Sequence, residues 1–180
     1  MGTGTTTQQE SGFLTGLFRD RESSESAYQS LRDRGYSDTE INVMMSDDTR
    51  NKYYGEGTTD SELGSKALEG AGTGGTIGGA LGAIIGGVAA IGTNVLLPGL
   101  GLVVAGPIVA ALVGAGAGGA AGTLAGALIG WGIPEDRAKV YETGIREGGT
   151  VIGVKPRTTE ESTALSTEWR DKYRGESIHY

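Results

Sequence analysis

Hydrophobic positions in this chain follow a helical period in some stretches, a strand pattern in others, and in the middle neither. Phe13 to Phe18 (FLTGLF) is a short apolar run of strand length. Asp20 then opens a helix near Glu22 that runs through SSESAYQSLRDR, with Gly35 where a left-handed C′ residue is wanted. Ala27 and Leu31, four apart, form its inward stripe, and Arg32 and Asp33 lie outside. Tyr36-Ser37-Asp38 reads as a turn. Ile41 to Met45 reads as a second strand, with Ile41, Val43 and Met45 on one face. Residues 47–69 show neither period and read as a linker with room for one helical turn.

Periodicity returns after a long apolar block. Ile133-Pro134-Glu135-Asp136 is a helix start, with proline in the first turn and acids at the positive end of the dipole. Ala138, Tyr141 and Ile145 give its stripe, and Gly148-Gly149 ends it. Thr150 to Val154 reads as a third strand, stopped by Pro156. Thr158 with Glu161 makes a capping box for a helix in which Leu165, Trp169 and Tyr173 recur every fourth residue. Gly175 terminates it, and Ser177 to Tyr180 has the length of a short edge strand. The predicted fold class is α/β: a small β-α-β, helical hairpin insertion, α-β-α-β domain whose two halves must pair to bury their inner faces. Its predicted parts are a disordered tail over 1–12, a discontinuous α/β domain over 13–46 and 134–180, the 47–69 linker, and a glycine-zipper hairpin over 70–133.

The central block is set apart by charge. From Gly70 to Pro134, 65 residues, there is no Asp, Glu, Lys, Arg or His. Glycine is the compositional outlier, with 34 in the chain against an average usage near 7%. Gly70, Gly74, Gly78, Gly82 and Gly86 recur every four residues, and Gly114, Gly118, Gly122, Gly126 and Gly130 do the same. On a helix each run makes a smooth ridge that lets another backbone approach closely. Ten such glycines cost on the order of 10 kcal/mol of helix propensity against alanine, so these helices need close partners or lipid. Between the runs, Asn94 to Gly101 carries the Pro98-Gly99 turn. Residues 70–94 and about 103–132 are therefore expected to be two helices folded back on each other, roughly 35–45 Å long against a ~30 Å hydrocarbon core. Trp131 stands where an interfacial aromatic belongs.

Three readings of the block follow. Absence of charge favours insertion in a bilayer, with both polar flanks in the cytoplasm. Weak hydrophobicity of Gly and Ala, and the lack of a flanking Lys/Arg cluster, favour a soluble homo-oligomer that buries the hairpin. A disordered low-complexity segment is disfavoured by the strict period.

Chemistry narrows the function classes further. A net charge of −7 with no basic stripe argues against a nucleic-acid partner. No cysteine is present, which removes disulfides, thiolate metal sites and cysteine nucleophiles. His179 is the sole histidine, so no histidine-based triad or metal cluster is expected. Two G-x-G-x-x-G matches, at Gly70 and Gly114, lie inside the zipper and lack the downstream acid of a dinucleotide site. Asp47/Asp48, Glu135/Asp136 and Glu160/Glu161 sit at turns or helix starts, where capping and the dipole account for them. Met1 to Ser11 has no basic or apolar signal region, and its match to a myristoylation pattern is too short to carry weight. The chain is expected to be non-enzymatic, without metal or cofactor, with a second copy of itself and a lipid bilayer as expected partners; the alternative is a ligand-sensing α/β module coupled to the hairpin.

Arg34-Gly35-Tyr36-Ser37, leading to Ile41 and Val43, resembles the opening of the bacterial general stress protein 17M-like domain, the heat-induced stress protein YflT type. Gly132-Ile133-Pro134-Glu135-Asp136-Arg137-Ala138-Lys139-Val140-Tyr141, on to Gly148-Gly149-Thr150-Val151, resembles its other half. The glycine-rich PGLG…AGP segment between them is similar to that of proteins described as low-temperature-induced. The resemblance covers residues 13 to about 155, and residues 158 to 180 depart from it. It implies a bacterial stress-response protein and carries over no catalytic residue.

Overall fold

A computed structural model describes residues 12–54, 95–97, 101–106, 124–130 and 132–180. In chain order the elements are β1 (Leu14–Phe18), α1 (Arg21–Asp33), β2 (Ile41–Ser46), α2 (Asp47–Tyr54), β3 (Val95–Leu97) and β4 (Leu102–Ala105). There follow α3 (Leu124–Gly130), α4 (Glu135–Arg146), β5 (Thr150–Val154), α5 (Thr159–Asp171) and β6 (Glu176–His179). The strands form one sheet of order β3-β4-β2-β5-β1-β6, and every pair in it is antiparallel.

β5 lies between β1 and β2 and pairs with both, at Leu17↔Val151 on one side and Met44↔Val151 on the other. β1 and β2 thus run parallel to each other with α1 as their crossover. β4 and β5 flank β2, each antiparallel to it, and so likewise run parallel to each other, linked through α3 and α4. Two split β-α-β units interleave, so neither half of the chain can complete its sheet alone.

Helices cover both faces. One core holds Leu14, Phe18, Ile41, Val43, Ile152 and Val154 under α1 and α5. The other holds Leu17, Met44, Val104 and Val151 under α3 and α4, through Leu128, Ala138, Tyr141 and Ile145. Leu17, Val151, Met44 and Val104 form one row across four strands. An antiparallel sheet more often leaves one face to water; here β1, β4 and β5 are buried throughout.

The expected α/β class, the inward stripes Ala27/Leu31 and Ala138/Tyr141/Ile145, and the edge strand after Gly175 match these elements. Two expectations are corrected. Residues 47–54 are a two-turn helix rather than linker; Ser46 caps it by accepting from the Thr49 N–H at 3.1 Å, with Asp47 and Asp48 in the first turn. The larger correction concerns the expected helical hairpin over 70–133, at its Asn94–Gly101 turn and at the start of its second helix near residue 103. Val95–Leu97 and Leu102–Ala105 are strands that pair with each other, and β4 is hydrogen-bonded to β2. The reason is local: β-branched Val95, Val103 and Val104 prefer the pleated sheet, and a proline-glycine pair between two apolar runs is a strand-hairpin signal. The discontinuous domain therefore includes β3, β4 and α3 as well as 13–46 and 134–180.

Gly106 closes β4 at φ +98, and a Cβ there would lie 2.3 Å from the Ile41 carbonyl oxygen. Gly101 also has positive φ, +61, but open space around it. Gly106→Ala should cost more than 2 kcal/mol, from strain plus clash, and Gly101→Ala about 1 kcal/mol. Urea unfolding of the two variants checks the order; equal midpoints would remove the tight β4–β2 approach.

Candidate functional site

The candidate site named by the sequence is the zipper, and two of its ten glycines lie in the described residues. Gly126 and Gly130 belong to α3. Gly70, Gly74, Gly78, Gly82, Gly86, Gly114, Gly118 and Gly122, and the turn residues Pro98 and Gly99, lie outside the described residues.

On α3 the core-facing residues are Leu124, Ala125 and Leu128. At 100° per residue Gly126 and Gly130 fall on the side opposite that stripe, one turn apart. Ile129, between the two sides, is 42% exposed. The glycine ridge thus points away from the α/β core that holds the helix.

Both ends of α3 are fixed. At its start the Glu142 carboxylate, from α4, accepts from the Ala125 N–H at 3.3 Å. At its end Gly132, at φ +94, donates to Ile129 O at 2.9 Å while Ile133 donates to Leu128 O at 3.0 Å. This is the Schellman pattern with its hydrophobic contact, Leu128 against Ile133 in one core. α1 closes the same way at Gly35 and α4 at Gly148 and Gly149. The Gly132 cap stood in the sequence as a glycine before Ile-Pro. Glu142 had no local signal, because its partner is seventeen residues away on another helix.

Polar groups within the described residues are mostly spent on the fold. Tyr36, 2% exposed, donates to Glu161, and the Arg157 guanidinium lies 4.3 Å from its ring. Arg157 also donates to the carbonyls of Arg34 and Gly35 at the end of α1. Thr158 caps α5 as expected, at 3.1 Å from the Glu161 N–H. The Glu161 carboxylate, however, accepts from the Arg157 N–H and Tyr36 rather than closing the reciprocal half of a capping box. The three acid pairs singled out in the sequence stand in the first turns of α2, α4 and α5.

A second buried network joins three elements. The Tyr141 hydroxyl donates to the Ser177 carbonyl at 2.7 Å, so at 2.8 Å it is Thr15 that donates to Tyr141. His179 is half-buried on β6. An open groove of 690 Å³ along α5 is lined by Arg34, Thr163, Thr167, Glu168 and Lys172, with Glu168 paired to Arg34 at 2.5 Å and to Lys172 at 3.2 Å. Among the described residues no group of three or more His, Cys, Asp or Glu is placed to hold a metal ion. Among them, too, no helix is long and apolar enough to cross a membrane.

Searches of protein-family models, of curated proteins and of solved structures gave no match to this chain.

Burial raises the phenol of Tyr141 to about 12, and burial with the Glu161 hydrogen bond raises Tyr36 to about 12 as well. A phenol is neutral when protonated, so a raised pKa means that the folded state holds the proton more tightly. The stabilisation is complete below pH 10, the ordinary phenol value, and is lost as pH climbs from about 10 to about 12. Urea melts should therefore change little from pH 7 to 9 and weaken steeply above 10. Tyr141→Phe should flatten that alkaline slope by on the order of 2 kcal/mol; an unchanged slope would mean that Tyr141 does not titrate with unfolding.

Proposed function

We propose that this chain is a non-enzymatic bacterial stress-response protein that acts by self-assembly through its glycine-zipper segments. The α/β domain is the base from which they project. The observation that carries this reading is the placement of Gly126 and Gly130 on the side of α3 opposite its core stripe, with Leu124, Ala125 and Leu128 anchoring the helix beneath. A glycine ridge facing the core would be a packing device of the domain; one facing away suits close approach by another helix. In this reading the runs Gly70–Gly86 and Gly114–Gly130 are helical and pack against each other and against the same runs of a second copy. The stress-response role is what the resemblance in the flanking residues implies.

A second reading is membrane association from the cytoplasm, favoured by the charge-free stretch from Gly70 to Pro134. With β3 and β4 paired into the same sheet as β2, both glycine-rich segments start and finish at one domain. In a bilayer each would dip in and return to the side it entered, in place of a two-span hairpin turning at Pro98-Gly99.

Gly78→Leu and Gly122→Leu raise both hydrophobicity and helix propensity, yet each should reduce the assembled fraction by tenfold or more in light scattering, because close approach is lost. Scattering and melting equal to the parent would sink the zipper reading. Carbonate washing of cell membranes separates the two settings: retention in the pellet supports the bilayer, and a defined detergent-free oligomer in the supernatant supports the soluble assembly.

A further inference from the structure

β6 is an outer strand of the sheet and, among the described strands, pairs with β1 alone. Its ladder is short. Thr15↔His179 and Leu17↔Glu176 are the aligned pairs, with two residues of β6 set against one of β1 between them. β1 and β5, by contrast, align at five consecutive positions. The extra residue is Ser177 at φ +50, and the approach from α5 passes through Arg174 at φ +51. Both are non-glycine residues in the left-handed region, a strained backbone state.

Beneath β6 lies Trp169, fully buried, its ring edge-on to Phe18 with centroids 5.4 Å apart. A Cβ on Gly16 would stand 3.0 Å from the indole Cε3 and 3.5 Å from Ile178 Cγ1, so the ring is enclosed between β1 and β6. Its Nε1 has no hydrogen-bond acceptor among the described residues. A buried N–H without a partner penalises the closed arrangement and would find water if β6 lifted. Against release stand the part-buried Tyr141–Ser177 hydrogen bond, the partly buried Ile178, and the exposed pairs Arg19–Glu176 at 3.0 Å and Arg174–Asp20 at 3.9 Å.

We propose that β6 is an exchangeable strap, docked on β1 of its own chain in one state and on β1 of a second copy in another. Strain at Arg174 and Ser177 and the buried indole N–H lower the cost of lifting the strap, and of these only the Arg174 hinge differs between the two docked states. The second copy is the fitting occupant because its strap carries the same residues and remakes the same contacts: Ser177 with Tyr141, Glu176 with Arg19, Ile178 over Trp169. Lys172 to Gly175 is the hinge. Such an exchange yields a closed, two-fold pair by swapping an identical element. It does not rest on the zipper reading, which concerns other residues.

The test uses the absence of native cysteine. Full-length chains carrying Arg19→Cys and chains carrying Glu176→Cys are mixed and treated with a short bis-maleimide. Arg19→Cys mixed with Glu160→Cys, an exposed position on α5, is the collision control. Exchange predicts a heterodimer well above the control, raised about tenfold by Tyr141→Phe and lower in Arg174→Gly than in Arg174→Ala, since both lose the 3.9 Å pair with Asp20 and only glycine relieves the hinge strain. The double variant Arg19→Cys/Glu176→Cys should cross-link within one chain and reports that the docked geometry exists. If it does so while the mixture gives no more heterodimer than the control, or if Arg174→Gly and Arg174→Ala give equal yields, the strap is fixed and the proposal is overturned. Repeating the mixture with Gly122→Leu chains distinguishes the two readings: exchange persists when zipper assembly is lost.

Discussion

Everything in this domain depends on one strand being shared. Thr150–Val154 pairs with Leu14–Phe18 on one side and Ile41–Ser46 on the other, so a strand from late in the chain sits between two from early in it. No contiguous stretch shorter than residues 14 to 154 contains the central three strands. The chain between β2 and β5 is therefore held at both ends by the sheet. Pairings of such wide sequence separation form slowly, because loop closure precedes the contacts that reward it.

Covering both faces of an antiparallel sheet sets a second requirement, since every residue of the central strands but Ser46 is buried. Polar residues there must find partners inside. Asn42 donates to the Gly153 carbonyl at 3.2 Å on the neighbouring strand. Thr15, also buried, is satisfied by Tyr141. Small residues meet the same demand in another way: Gly144 of α4 lies so close to β1 that a Cβ would stand 2.4 Å from Leu17 Cδ2, which brings the helix axis down onto the sheet. Hydrophobic burial supplies the driving force, and these few polar and glycine positions fix where each helix rests.

Much of the α/β part was legible because its signals are local. Ala27/Leu31 and Ala138/Tyr141/Ile145 announce their helices by spacing, and Gly35, Gly148 and Thr158 announce the ends. Strand order was not legible, since nothing near Thr150–Val154 says which two strands it will separate. The β3–β4 pair was not legible because the glycine period on either side points to helix, which makes Asn94 to Gly101 a turn with Val95 on its shoulder and puts Val103 and Val104 at the start of a second helix. Of the candidate site, the glycine period is readable from spacing alone. That Gly126 and Gly130 lie opposite the core stripe needed the buried Leu124 and Leu128 to set the rotation of α3. Glu142 at the start of that helix needed the tertiary fold.

The anchoring of Val95–Leu97 and Leu102–Ala105 in the sheet has a consequence for how such a protein can vary. It divides the sequence between α2 and α3 into two inserts, residues 55–94 and 107–123, each flanked on both sides by described elements of the domain. Doubling a flexible insert costs only about 0.6 kcal/mol in closure entropy. If the zipper runs are helical, as proposed, adding or deleting one four-residue step would shift a glycine ridge by about 6 Å and leave the described strand registers intact. In that reading the reach of the ridge changes by small increments while the sheet that anchors it stays the same.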